Sequence, residues 1–194
     1  MIFFIFEKIC YNYFKYGLSE AKGMKFDIKI TDKDMYRFNL YHTYHTFNGI
    51  ISIVVGLFVF VVLFVVRNRL TPTDVILYIA LGIALLLYSP ITLLTRSKAQ
   101  VASSPVLQNT LSYEFNDDGI FVVTNAKLEE GVETSVLLPW KEIYKIVETK
   151  RQLLIYSSRV SAYVIPLEQL GDQKENLKTY IKERAEDFRL SFRK

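Results

Sequence analysis

The chain has few of the residues from which common catalytic and metal centres are built: among 194 residues there are one cysteine, Cys10, and two histidines, His42 and His45. One cysteine excludes an intrachain disulfide, and one cysteine with two histidines cannot fill a four-ligand Cys/His zinc site. No GxSxG, HExxH, P-loop or GxGxxG pattern occurs, and both histidines precede the long apolar runs, so a Ser/His or Cys/His mechanism has no base in the C-terminal half. The acidic pairs Asp117-Asp118 and Glu129-Glu130 fall in predicted turns, where adjacent carboxylates are solvated rather than opposed across a substrate. Charge of one sign is also scarce. With 24 Lys+Arg against 20 Asp+Glu and no run of five or six like charges, a nucleic-acid partner is not expected. The sequence predicts neither an enzyme nor a metal or cofactor site.

What the chain has in quantity is apolar residues, 51% of the total. Residues 49–66, GIISIVVGLFVFVVLFVV, run for eighteen positions without a charge, and residues 75–94, VILYIALGIALLLYSPITLL, for twenty. At about 1.5 Å per residue each covers most of a bilayer's hydrocarbon, so both read as membrane spans. The eight residues RNRLTPTD between them, with Thr71 to Asp74 supplying turn and N-cap chemistry, force a tight antiparallel hairpin with both flanks on one side. Lys33, Arg37, Arg96 and Lys98 flank the spans, against Arg67 and Arg69 in the loop, which places both termini in the cytoplasm. The single cysteine and the lack of an Asn-x-Ser/Thr sequon agree with that side.

Small residues recur four apart in each span, Ser52 and Gly56 in the first, Ala80 and Ala84 in the second, with Gly56 expected near Ala84 in depth. The spacing predicts close packing within the hairpin, with a homodimer face as the alternative that the same spacing permits. Neither span carries Asp, Glu, Lys, Arg or His, which disfavours a transporter or pump. Ser89 and Pro90 read as the exit of the second helix.

Residues 1–23 form an N-terminal extension to which no function is assigned. Its short apolar run is no export signal, and it reads either as an aromatic-rich interfacial helix or as the product of a misassigned start upstream of Met24. In residues 25–30, Phe26, Ile28 and Ile30 alternate with charged neighbours, a half-buried strand; residues 31–34 then cap a helix expected to continue into the first span. Tyr36, Tyr41, Tyr44 and Phe47 on that helix suit the headgroup level, and His42 and His45 are read as interfacial rather than metal-binding.

Residues 95–109 read as a polar linker, and residues 110–194 as a separate domain. Short alternating segments predict six strands: 111–115, 120–124, 132–138, 143–149, 153–156 and 160–165. Asn116 to Gly119, Glu129 to Gly131, Lys150 to Gln152 and Ser157 to Arg159 supply turns. From Asp172 onward Leu177, Tyr180, Ile181, Ala185 and Phe188 line one face of an amphipathic helix. Two apolar spans followed by LLPWKEIYKIVETKRQLLIYSS, then IPLEQL and a terminal helix, resemble the YcxB-like proteins of bacteria from about Met24 to the end. Trp140, Ile143, Ile146, Glu148, the Leu154-Ile155-Tyr156 strand and Ile165-Pro166 carry the resemblance. It implies a pleckstrin-homology-like domain and no known reaction.

The expected fold class is therefore an α+β membrane protein: a two-helix transmembrane hairpin, then an antiparallel sheet or partial barrel closed by a C-terminal amphipathic helix. Lipid-binding pleckstrin-homology domains resemble one another in a basic first hairpin loop, whereas the first turn predicted here is Asn116-Asp117-Asp118-Gly119. The strongest basic grouping is Lys141, Lys145, Lys150, Arg151 and Arg159, candidate contacts for anionic headgroups. A seventh strand is missing from the count, so residues 25–30 are expected either to join an edge of the C-terminal sheet or to lie along the bilayer as a strap. The functional expectation is a non-enzymatic interaction or scaffold module in the bacterial cell membrane, and the alternative is an accessory subunit of a transport or signalling complex. Its expected partners are the lipid bilayer and a protein, either another chain or a second copy of this one.

Overall fold

The structure is a computed structural model and describes residues 23–124, 126 and 135–192. The expectations for residues 1–22, for the turn at Glu129 to Gly131 and for the side chains of Phe47 and Phe188 lie outside the described residues. The fold is α+β. A strand β1 (Met24–Lys29) leads through α1 (Asp32–Tyr44) into two long apolar helices, α2 (Phe47–Val66) and α3 (Pro72–Ser103). After a single turn, α4 (Pro105–Gln108), come β2 (Thr110–Phe115), β3 (Gly119–Thr124), β4 (Ser135–Pro139), β5 (Lys145–Glu148), β6 (Gln152–Tyr156) and β7 (Ala162–Pro166). The helix α5 (Lys174–Arg184) and a two-residue strand β8 (Leu190–Ser191) complete the described chain.

Local chemistry starts the helices where it should. Thr31 and Thr71 both form capping boxes: the Thr71 hydroxyl accepts from the Asp74 amide at 3.3 Å while the Thr71 amide donates to the Asp74 carboxylate at 3.0 Å, and Thr31 and Asp34 do the same for α1. Proline at the first position of α3 costs nothing there, because that N–H has no intrahelical acceptor.

Three helix boundaries differ from those read in the sequence. First, α1 does not run on into α2: the chain breaks at His45 and Thr46, with the Thr46 hydroxyl donating to the Thr43 carbonyl at 2.6 Å. A Cβ at Gly49 would strike that same Thr43 carbonyl, so the fold-back needs glycine at 49. Second, the expected linker at 95–109 is helical. Pro90 lies inside α3, which continues to Ser103, well past the apolar stretch. Third, the C-terminal helix stops at Arg184, and Ala185 is already extended, so the chain turns back to lay β8 parallel to β5.

The strands form two four-stranded sheets, in the orders β1-β2-β3-β4 and β7-β6-β5-β8, in place of the single sheet or partial barrel expected. The first sheet is wholly antiparallel, and it contains the strand from before the helices: Phe26 lies opposite Tyr113 and Ile28 opposite Leu111. The strap alternative is thereby excluded. Among the described residues, seven strands follow α4 where the sequence reading counted six, the extra one being β8.

Alternation explains the core. In β1 and β2 every second residue is buried, whereas all five residues of β6 are buried, so that strand is covered on both faces. The shared core includes Ile28, Tyr113, Phe115, Ile146, Leu154, Ile165, Leu177 and Ile181. Glu148 reaches from β5 to Lys174 and Lys178 on α5, at 3.0 and 2.8 Å, which fixes the helix on the second sheet.

Candidate functional site

The two apolar helices lie side by side, yet only 11% of the most apolar stretch of α2 and 6% of that of α3 is buried. Phe58, Phe64, Val65, Ile76 and Leu77 are more than half exposed. Such helices cannot be core helices, which bury their apolar faces. Their seam is built from glycine. A Cβ on Gly56 would run into Leu86, and one on Gly82 would lie 2.6 Å from the Phe60 ring. Small residues thus permit the close approach, as the four-residue spacing suggested, but with a different set. Ser52 is half-buried, while Ala80 and Ala84 are exposed, and Gly56 meets Leu86 instead of Ala84. Gly82 was the missed residue, and its signal was its position on α3 two residues from each alanine.

Height along the molecule follows from α1 and β6, which run in the same direction side by side. At their start the Gln152 amide donates to the Asp34 carbonyl at 2.9 Å, and further along Tyr156 packs against Phe38 and His42, with centroids 6.3 and 6.1 Å away. Since α1 leads into α2, the turn at residues 157–161 lies at the end of the domain nearest the apolar hairpin. This divides the five candidate cations. Lys145, which pairs with Tyr156 and holds its Nζ 4.6 Å over that ring, lies at the hairpin end with the Arg159 turn. Lys150 and Arg151 occupy the β5–β6 turn at the opposite end, and Lys141 lies beyond β4 in a short helical turn. They do not form one patch.

The aromatic residues at the hairpin end are packed rather than splayed. His45 stacks on Tyr41 at 3.9 Å. Burial, with the charge of Lys145 added, pulls His42 below its ordinary pKa, while burial and the neighbouring Tyr41 push Tyr156 up to about 12. Among the described residues no three His, Cys, Asp or Glu side chains are grouped to hold a metal ion.

Trp140 is a core residue. It is 7% exposed, lies between Phe115 and Tyr180 at 6.5 Å from each, and donates its indole N–H to the Asn116 carbonyl at 2.9 Å. The Asn116 side chain in turn accepts from the amides of Asp118 and Gly119 and closes the β2–β3 turn, which Arg184 of α5 clamps through Asp117 at 2.6 Å. This turn is the second hairpin connection of the sheet and not the first. The first, between β1 and β2, is occupied by the helices.

Between the first sheet, β7 and the helices α1, α3 and α4 lies an open cavity of about 400 Å³. Ile30, Met35, Phe38, Leu111, Val122 and Val164 supply apolar wall, Gln100 comes from α3, and none of the described lining residues is charged. Tyr113 also borders it, but its hydroxyl is fully buried and not open to the cavity, and has no hydrogen-bond partner among the described residues.

The model of the YcxB-like protein family matches residues 115–183. Residues 115–183 are YcxB-like. No curated protein and no solved structure matches the chain. The YcxB-like stretch runs from the last residue of β2 to the final turn of α5 and therefore contains Trp140, Glu148 and the Lys174/Lys178 clamp. It leaves out β1 and all of the helices before β2.

Proposed function

We propose that the protein is a membrane-anchored, non-enzymatic interaction module of the bacterial cell membrane, with α2 and α3 spanning the bilayer and both flanks cytoplasmic. The observation that carries this reading is the exposed apolar surface of two adjacent helices whose flanking chains hydrogen-bond to each other in one sheet. Exposed surface of that extent is costly in water and favourable in lipid. Pairing of β1 with β2 also requires both flanks to lie on the same side of the bilayer.

The domain beneath is read as pleckstrin-homology-like. A sheet of four strands, a second sheet opened by three more and a closing helix α5 support this, with the membrane hairpin inserted in the first strand connection. The loop that carries lipid phosphates in the resembled domains is then replaced by the anchor. Bilayer attachment takes the place of headgroup recognition, and the cations that face the bilayer are Lys145 and Arg159.

The test is extraction and labelling of the full chain in cells. The chain should remain with the membrane pellet in alkaline carbonate and be released by detergent. In a Cys10→Ala background, Thr71→Cys should react with an impermeant maleimide added outside intact cells and Ser157→Cys should not. Carbonate release, or labelling of the Ser157 variant from outside, would refute the proposal.

A further inference from the structure

The β6–β7 turn, residues 157–161, stands at the height where the apolar helices begin. Its height follows from contacts on α1, which leads up into α2 while α3 descends beside it. Asn39 donates to Ser97, three residues past Leu94, where the uncharged stretch of α3 ends. Tyr156 packs against both Phe38 and His42, and at 1.5 Å per residue His42 lies about 4.5 Å further up α1 than Asn39. The last residue of β6 is therefore within one helical turn of Leu94, and the 157–161 turn carries on from there toward α2. At that level Ile91 and Leu94 of α3 are exposed.

A lone exposed valine on a protein surface is ordinary. Val160 differs in its position and its company. It is 71% exposed at the tip of this turn, and Arg159 beside it is exposed and has no ion-pair partner among the described residues. Tyr144, whose amide donates to the Tyr156 carbonyl at 2.8 Å, is half-exposed at the same end, and Lys145 holds its ammonium over the Tyr156 ring. An aliphatic tip, an aromatic ring and two cations are what the headgroup layer of a bilayer accommodates.

The turn also meets the condition that lipid sets on a backbone, that its polar groups be paired internally. The amides of Ser157 and Ser158 donate to the Ser161 carbonyl at 3.1 and 3.4 Å. The Ser158 hydroxyl accepts from the amides of Val160 and Ser161 at 3.4 and 3.1 Å. Entry of the tip into the headgroup layer breaks none of these bonds.

We propose that the β6–β7 turn is a second membrane contact of the domain: Val160 enters the boundary between headgroups and acyl chains on the domain's side of the bilayer, Arg159 pairs with lipid phosphate, and Tyr144 lies among the headgroups. This rests on the membrane reading above and adds to it a fixed seat for the domain against the bilayer.

The test uses the full chain with Cys10→Ala in vesicles of phosphatidylcholine and phosphatidylglycerol, with a nitroxide attached at Val160→Cys. Its collisions with oxygen, which concentrates in lipid, are compared with those of a nickel chelate, which stays in water and is present on both sides. The same label at Phe58→Cys, exposed in the middle of α2, and at Arg151→Cys, in the turn at the opposite end of β6, brackets the scale. The oxygen-to-nickel ratio at 160 should exceed that at 151 several-fold and fall below that at 58. Arg159→Glu should lower the ratio at 160 toward the value at 151, whereas Arg151→Glu should leave it unchanged. A ratio at 160 equal to that at 151, with 58 still dominated by oxygen, would overturn the proposal and leave the membrane reading standing. Low access of both reagents at 160 would show that protein covers the tip and would overturn it equally, and a ratio unmoved by Arg159→Glu would refute the phosphate contact. Nickel-dominated collisions at 58 would refute the membrane reading and this proposal with it.

Discussion

If the sheet is built from both flanks of the hairpin, a substitution more than 80 residues from the family-matched stretch should unfold that stretch. Ile28 is the sharpest probe. It is fully buried, lies opposite Leu111, and shares its face with Phe26, which packs edge-on to Phe115 at 6.0 Å. Ile28→Ala removes three carbons from a site whose neighbours are held by sheet register, so the cavity cannot collapse, and the cost should be about 3 kcal/mol, within the 2 to 5 typical of such truncations. Trp140, the single tryptophan, is buried against Phe115 at the far end of β2 and reports the unfolding of this sheet by its fluorescence. With a urea slope of about 1 to 3 kcal/mol per molar, the midpoint should fall by roughly 1 to 3 M. Lys25→Ala, on the exposed face of the same strand, controls for changes in the strand itself and should stay within about 0.5 kcal/mol. A Trp140 transition unmoved by Ile28→Ala, or moved as far by Lys25→Ala, would show that β1 does not belong to the sheet.

Three other outcomes are expected. Gly82→Ala should weaken the helix pair more than Gly56→Ala, because the new methyl would meet the rigid Phe60 ring in one case and the end of a flexible Leu86 side chain in the other; fluorescence transfer between labels on the two helices, titrated with SDS, would check the order, and equal midpoints would contradict it. Glu148→Ala should destabilise the domain by about 1 to 3 kcal/mol. That is less than a fully buried pair would cost, since Lys174 remains a third exposed, and a thermal melt unchanged by the substitution would show that α5 is held without this clamp. His42 carries the pH dependence: its folded pKa lies below the ordinary 6.5, so the unfolded chain binds the proton first, and its contribution is intact above about 6.5 and lost as pH falls through the folded value. Urea midpoints at mildly acidic and neutral pH should therefore differ more for the unaltered chain than for His42→Gln, and an identical pH slope in the two would refute this.

How much of this could be read beforehand depended on what each pattern reports. Alternation reports a half-covered strand directly, so Phe26, Ile28 and Ile30 announced β1, whereas pairing and a strap along the bilayer satisfy that pattern equally and only the register with β2 decides between them. Hydropathy reports surroundings, not helicity. The reading ended the second helix where Arg96 and Lys98 begin, yet Lys, Ala and Gln are good helix formers, and the backbone continues to Ser103. The break at His45 was hidden because neither proline nor glycine marks it. Its trace is Gly49, four residues on, which is needed for the contact with Thr43. The cavity had no sequence signature at all, since Tyr113 reads as one more inward residue of β2 and only the third dimension shows its hydroxyl without an acceptor among the described residues.

Placing the hairpin inside a strand connection raises a question of chain entropy that the helices themselves answer. Pairing of Lys29 with Thr110 closes a loop of the 80 residues from 30 to 109, and for a flexible chain each doubling of length would add about 0.6 kcal/mol to that closure. This loop is not flexible. It folds back at residues 67–71, α1 lies along the lower part of α3, and the Asn39 amide donates to the buried Ser97 hydroxyl at 2.8 Å just below the apolar stretch. The Ser97 hydroxyl in turn donates to the Leu93 carbonyl at 2.7 Å, so the contact is satisfied without water. With α2 packed on α3 and α1 tied to α3, the helices themselves hold the two ends of the insert together. The glycine seam at Gly56 and Gly82 thus acts on the sheet below: the closer the helices pack, the less entropy remains to be lost when β1 finds β2.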